Sequence, residues 1–199
     1  MALKTFKNNM ISFLNKIKRG SIGTKLSLFI MGSGNIYHKQ YIKGFLYLTI
    51  QILFFVFMFI PFKINNTPLG FKALKNLITL GDNQGDIFVN ADDSRLMLLF
   101  GLITIGIIIF YVVIWISNIN SSLKSDELVL KGKKPLKFMD DIKSLLDERF
   151  YISLLTPVSI AVLIFTILPT IFMILIAFTD FGDPSKNTIE YFFNWVGFK

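Results

Sequence analysis

The stretch Leu96-Met-Leu-Leu-Phe-Gly-Leu-Ile-Thr-Ile-Gly-Ile-Ile-Ile-Phe-Tyr-Val-Val-Ile-Trp-Ile-Ser117 decides the class of this protein. A hydrocarbon core of roughly 30 Å needs about 20 apolar residues at 1.5 Å of rise each, so this run is long enough to cross a bilayer as a helix. The absence of charge continues to Leu123, and two further stretches, Gly44 to Phe62 and Phe150 to Thr179, are equally free of charge. The first contains 13 Leu, Ile, Val or Phe residues. At about −0.3 to −0.6 kcal/mol apiece these favour insertion by roughly −4 to −8 kcal/mol, which Gln51 and Pro61 do not offset. The expected fold is an all-α membrane protein with three transmembrane helices and interfacial amphipathic helices.

Composition agrees. The 199-residue chain is 53% hydrophobic with 22 Phe, far from the make-up of a soluble or a disordered domain. Its net charge of +8 raises the question of nucleic acid. The Lys and Arg residues, however, flank the apolar runs and are not interleaved with base-stacking aromatics on a polar scaffold, so no nucleic-acid partner is expected. With no Cys, disulfides, thiolate metal sites and S-acylation are excluded. The first strongly apolar span begins some way from the N-terminus and lacks a small-residue cleavage pattern, so it is expected to stay in the mature chain.

Basic residues in short loops are retained on the cytoplasmic side, and their distribution alternates along the chain. Residues 1–43 carry eight and residues 118–150 seven, against four in 63–95 and two in 179–199. The predicted order is therefore a basic cytoplasmic and interfacial segment (1–43), transmembrane helix 1 (44–62), an extracellular loop (63–95), transmembrane helix 2 (96–117), a cytoplasmic loop with an elbow helix (118–150), transmembrane helix 3 (151–178) and the start of an extracellular segment (179–199). The N-terminus is inside and the C-terminus outside.

Smaller patterns fill in the connections. Leu3, Phe6, Met10, Phe13, Leu14 and Ile17 recur at spacings of three and four among lysines, which predicts an amphipathic helix on the inner membrane face, attracted to anionic lipid. Residues 26–37 are apolar but short and hold Gly32 and Gly34, which suits an interfacial or re-entrant approach to the first span. Phe71, Leu74, Leu77 and Ile78 predict a short outer helix, with a turn at Gly81 and Gly85. Phe138, Met139, Ile142, Leu145, Leu146 and Phe150 mark the apolar face of the elbow helix. Pro169 should kink the third span near its middle, whereas Pro157 is expected near the inner end, where it costs little.

Nothing here reads as chemistry. The glycines near Ser33 and Gly20-Ser-Ile-Gly-Thr-Lys25 lack the strand and spacing of a phosphate loop. Asp82-Asn-Gln-Gly-Asp86 lacks the terminal Glu of a calcium loop, so a solvated turn is expected. The carboxylates of the elbow helix serve as its polar face, with no nucleophile or base nearby in sequence. His38, beside Lys39, reads as a polar anchor. The spans hold no ionisable group, which argues against a proton relay or an ion path; their hydroxyls are expected to serve packing, bonding back within their own helices or joining neighbouring ones. No catalytic residue, cofactor or metal is expected.

Certain motifs carry a family resemblance. Leu154-Leu-Thr-Pro-Val-Ser-Ile, Phe165-Thr-Ile-Leu-Pro-Thr-Ile-Phe172, Ala177-Phe-Thr-Asp-Phe181 and Asn194-Trp-Val-Gly-Phe-Lys199 resemble the third span and exit of maltose-type permease subunits of bacterial ABC sugar importers. Met31-Gly-Ser-Gly-Asn and Lys39-Gln-Tyr-Ile-Lys-Gly44 are similar to the leader of Gram-positive members. The resemblance covers nearly all of the chain but only the N-terminal portion of such a permease. It implies a non-catalytic subunit that pairs with a second permease subunit, two ATPase subunits and an extracellular sugar-binding protein to import an oligosaccharide, in the plasma membrane.

Trp195, Val196, Gly197 and Phe198 match the family's Trp-Val-Gly-aromatic motif and are candidates for partner contact. The family's Glu-Ala-Ala coupling loop is missing, since Ala2, Ala73, Ala91, Ala161 and Ala177 are nowhere adjacent. No coupling or sugar-binding residue is therefore assigned, and the chain is expected to be a fragment, a truncated product or one piece of a split subunit. The alternative from a different class is a stand-alone three-span scaffold that binds partner helices or anionic lipid.

Overall fold

The computed structural model describes residues 2–81, 93–135, 138–147, 150–181 and 195–196. These residues are mostly helical, in the order α1 (Ala2–Arg19), α2 (Ile22–Leu26), α3 (Ser33–Tyr37), α4 (Tyr41–Phe59), α5 (Phe71–Thr79), α6 (Ser94–Leu130), α7 (Phe138–Leu146), α8 (Phe150–Val162) and α9 (Leu168–Ile176). Three of the continuous helical stretches, Tyr41–Phe59, Ser94–Leu130 and Leu154–Ile176, are long and apolar enough to cross a membrane. The expected acidic turn at Asp82 to Asp86 lies outside the described residues.

Each span ends for a local reason. α4 begins and ends three residues earlier than the uncharged run, because Pro61 restricts the residue before it and Phe59 is the last helical position. α6 starts on a side-chain cap: Asp93 Oδ1 accepts from the N–H groups of Arg95 (3.1 Å) and Leu96 (3.2 Å). It stops at Gly132, φ +70°, where Lys133 N–H reaches Leu128 O and Gly132 N–H reaches Val129 O, both at 2.9 Å. That is a Schellman closure, which needs the left-handed conformation glycine allows. At 37 residues α6 is about 55 Å long and outruns a bilayer core. Residues 118–130, expected as loop, are thus the polar continuation of the second helix: hydrophobicity ends near Ser117, but no helix stop occurs before Gly132.

The third span changes register instead of simply bending. A π-helical turn, Leu163–Ile167, joins α8 to α9 immediately ahead of Pro169. Proline lacks an N–H and its ring crowds the carbonyl four residues back, here that of Phe165; a widened turn accommodates both. Pro157 departs from the expectation of little cost: α8 begins at Phe150, close to the expected 151, and seven residues on the proline stands inside the helix, past its first turn. It therefore removes an interior ladder bond. Replacing Pro169 with Ala is expected to restore the missing N–H donor and slow amide exchange across 163–169 by about tenfold, read by hydrogen–deuterium mass spectrometry in detergent.

The described residues form two compact units. The first comprises residues 1–54 and 110–150. Its small apolar core is Ile17, Ile119 and Leu123, backed by Phe13, Leu28 and Trp115. α1 is thus held on α6 by one face, with Lys16 Nζ 3.2 Å from Glu127 Oε1, while Met10, Ile11 and Leu14 remain exposed. Phe54 stacks on Tyr111 with ring centroids 3.8 Å apart.

The second unit comprises 55–109 and 151–199. A two-stranded hairpin that the sequence reading did not include, β1 (Lys63–Ile64) with β2 (Thr67–Pro68), turns through Asn65 and Asn66, both at positive φ. Such a two-residue turn favours Asn because its short side chain tolerates the left-handed region. The expected outer helix is present as α5, but Ala73 is its fully buried residue and Leu77 packs on the core, while Phe71 and Ile78 are exposed. The core is Leu80 and Leu98, with Leu77, Phe172, Leu175 and Trp195 around it.

Candidate functional site

Two places in the described residues collect polar or motif residues, one in each unit. In the second unit Trp195 is turned into its own chain. Its indole Nε1–H donates to Leu77 O at 3.1 Å, its backbone bridges Thr179, and Val196 N–H donates to Phe178 O at 2.9 Å. The Trp of the motif thereby ties the exit of the third span to α5, and Val196 stays exposed. Gly197 and Phe198 lie outside the described residues. Trp195→Phe is expected to cost about 1 kcal/mol through the lost hydrogen bond, and Trp195→Ala about 3 kcal/mol, measured as earlier proteolysis after Thr179 and a lower melting midpoint.

In the first unit the site is a polar seam. Trp115, Asn118, Ser122 and Ser125 follow one another on α6 at spacings of three and four, which lines them along one helix face, with Ser121 and Asp126 at its edge. Facing them are α2, the turn after it, and α3. Trp115 Nε1–H donates to Leu28 O (3.0 Å) and Asn118 Nδ2 to Ser27 O (3.2 Å). Asn118 Oδ1 accepts from Gly32 N–H (2.9 Å), and Ser121 Oγ donates to Asn35 Oδ1 (3.0 Å). Ser125 Oγ lies 3.3 Å from Gln40 Oε1. From α4, Gln51 secures the turn from both ends of its amide: Oε1 accepts from Met31 N–H (2.7 Å) and Nε2 donates to Phe29 O (2.8 Å).

Glycines make this approach possible. Gly32 sits at φ +86°, and a Cβ there would meet the carbonyl of Gly44; a Cβ on Gly34 would meet the Ser122 hydroxyl. The Met31-Gly-Ser-Gly-Asn motif is therefore the docking surface of the α2–α3 segment for α6 and the start of α4.

Asp126 closes the seam, beyond the uncharged part of α6. Its Oδ2 accepts from Ser21 N–H (2.9 Å) and Thr24 Oγ1–H (2.7 Å), and Oδ1 is 2.6 Å from His38 Nε2. The His38 and Asp126 side chains are only 7% and 10% exposed, so this is a buried pair and not a surface one. Both oxygens of Asp126 face donors, Ser21 N–H and Thr24 Oγ1–H on Oδ2 and the imidazole on Oδ1; a carboxylate only accepts, which places the proton of the imidazole contact on Nε2. Among the described residues no buried side-chain nitrogen or oxygen lacks a hydrogen-bond partner.

This arrangement holds helices together and lacks the order of a catalytic triad. In a triad a hydroxyl bonds the imidazole and the carboxylate bonds its other nitrogen; here Thr24 bonds the carboxylate directly. Among the described residues no three His, Cys, Asp or Glu side chains gather as a metal site. His38 is more than the polar anchor expected of it. The overlooked signal was the helical spacing of Trp115, Asn118, Ser122 and Ser125, hidden by reading residues from 118 onward as loop. The intraspan hydroxyls behave as expected, with Thr49, Thr104 and Thr170 bonding to Phe45 O, Phe100 O and Thr166 O.

Comparison with known proteins places this geometry in a context. The chain is 32% identical over 187 residues to the maltodextrin transport system permease protein MalC of Streptococcus pneumoniae, an alignment covering 92% of this chain and 39% of that protein. It is 28% identical over 174 residues to the maltodextrin transport system permease protein MdxF of Bacillus subtilis, covering 85% of this chain and 36% of that one. The chain thus spans about two fifths of the length of the relatives it matches. No family model and no solved structure matches it. With three membrane-length helices and these relatives, it is a multi-pass protein of the bacterial plasma membrane.

Proposed function

We propose that this chain, a relative of the maltodextrin permeases, is part of the membrane subunit of an ABC importer for oligosaccharides of the maltodextrin type. The observation that carries the reading is the alignment over 92% of the chain to a maltodextrin permease. Fold-level likeness would not be enough, since helical membrane architectures serve many functions. Its partners on this reading are a second permease subunit, ATPase subunits and an extracellular sugar-binding protein. The chain carries out no reaction. It anchors the subunit and flanks the translocation path without lining it, a role that suits apolar runs (44–62, 96–117 and 151–178) without a charged residue.

The reading includes an orientation: N-terminus and residues 118–150 inside, residues 63–95 and the exit after Thr179 outside, as the basic residues distribute. Because the chain has no Cys, single cysteines report this directly. Lys72→Cys is expected to react with a membrane-impermeant maleimide in intact cells, and Lys133→Cys only after permeabilisation; the reverse pattern overturns the orientation.

The functional test is purification of an epitope-tagged chain from mildly solubilised membranes of the source cell. Co-purification of an ATP-binding subunit and a second permease is expected. Recovery of the chain without any ATP-binding subunit would sink the importer reading and favour the stand-alone scaffold.

A further inference from the structure

The first unit is built inside out. Among its described residues the fully or nearly buried side chains other than glycine are nine polar or charged (Thr24, Ser27, Asn35, Gln40, Lys43, Asn118, Ser122, Ser125, Asp126) against four apolar. Its large apolar side chains point the other way. Helical turns run on past α2, with Ser27 N–H bonded to Gly23 O and Ile30 N–H to Leu26 O, so Ile22, Leu26, Phe29 and Ile30 fall at i, i+4, i+7 and i+8 on one face. All four are exposed, Phe29 at 79% and Ile22 at 69%, while Thr24 and Ser27 on the opposite face are fully buried.

A water-facing helical segment has the opposite polarity. In a bilayer the pattern is the stable one, because polar groups must be satisfied by protein and apolar side chains meet acyl chains at no cost. We propose that the segment from Ser21 to Gln40 lies in the membrane as a re-entrant element, its polar face sealed on α6 and its Ile22–Leu26–Phe29–Ile30 stripe in contact with lipid acyl chains. Two further observations favour lipid as the occupant. The stripe belongs to the same unit as the exposed Tyr41, Ile42 and Phe45 at the start of the membrane-length helix α4. Its flanking charges Lys18, Arg19, Lys25 and Lys39 are all basic, with no acid anywhere in residues 1–43, which suits anionic headgroups. Lys25, beside the stripe, has the reach to extend its ammonium to them.

The test uses the full chain reconstituted into vesicles of phosphatidylcholine and phosphatidylglycerol in equal parts. Single cysteines at Phe29→Cys, Ile22→Cys, Phe45→Cys and Lys131→Cys carry an environment-sensitive fluorophore. All four positions are exposed, so folding should tolerate them. The expected result is that acyl-chain-brominated lipid quenches the probes at 29 and 22 at least half as strongly as the probe at 45, and that aqueous iodide quenches them several-fold less than the probe at 131. Iodide quenching at 29 and 22 equal to that at 131 means a water face and overturns the proposal. Shielding from both quenchers means a protein partner covers the stripe, which overturns it equally. Lipid quenching absent at 45 as well would overturn the spanning assignment along with it, whereas the importer reading is decided separately by co-purification.

Discussion

Asp126→Ala is expected to lower the stability of the first unit by about 3–5 kcal/mol, the cost of removing one member of a buried pair and stranding its partners. Three donors converge on this carboxylate: Ser21 N–H, Thr24 Oγ1–H and His38 Nε2–H. Thr24 is fully buried and cannot turn to water where it stands, and an unmet buried donor costs about 1–3 kcal/mol. In a chain of this size the loss corresponds to a melting midpoint lowered by roughly 10 °C, read by fluorescence in detergent. Asp126→Asn keeps one carbonyl acceptor and should lose about half as much. Glu127→Ala, which removes only the exposed ion pair to Lys16, should be close to neutral. His38→Ala combined with Asp126→Ala should cost clearly less than the sum of the two single changes, because they share one contact. Additive losses would mean that the pair does not form.

The spans were legible because bilayer insertion depends on summed hydrophobicity and length, which sequence displays directly. The seam was not, for two physical reasons. Ser, Asn and Asp compete for backbone bonds and read as loop formers, so Ser117-Asn-Ile-Asn-Ser-Ser122 looked like the end of a helix. In the folded chain their side chains are occupied by α2 and α3, which removes that competition and lets α6 run on to Leu130. A lone His followed by Lys likewise gave no hint of a carboxylate 88 positions away. At the other end, the Trp195 motif was legible as a pattern, but its packing on Leu80 and Leu98 depends on contacts distant in sequence. Pro157 shows a different lesson: the expected start at 151 is within one residue of the observed Phe150, so the proline's place past the first turn follows from the sequence, and the expectation of a small cost is what fails.

Gly32→Ala should be the most damaging change available without touching a charge. At φ +86° an L-residue pays about 1–2 kcal/mol for the left-handed backbone alone. A Cβ would also press on the carbonyl of Gly44, and backbone cannot step aside as a side-chain tip does. Moving the turn away from α4 would stretch the Gly32 N–H bond to Asn118 Oδ1 and the Met31 N–H bond to Gln51 Oε1, both of which depend on that close approach. Together these terms amount to about 3 kcal/mol or more, enough to release the α2–α3 segment from α6. The release would be visible as trypsin cleavage at Lys25 and Lys39 in detergent, with a fall in melting midpoint. Gly106→Ala is the matching control: nothing lies within 4 Å of a Cβ there, and Ala in mid-helix should gain about 0.5–1 kcal/mol. If the two substitutions melt alike, the turn at Gly32 does not pack against α4, and the motif that contains it must be explained some other way. If Gly32→Ala alone loosens the segment while the spans still insert, the glycine is required for docking the re-entrant element and not for entering the membrane.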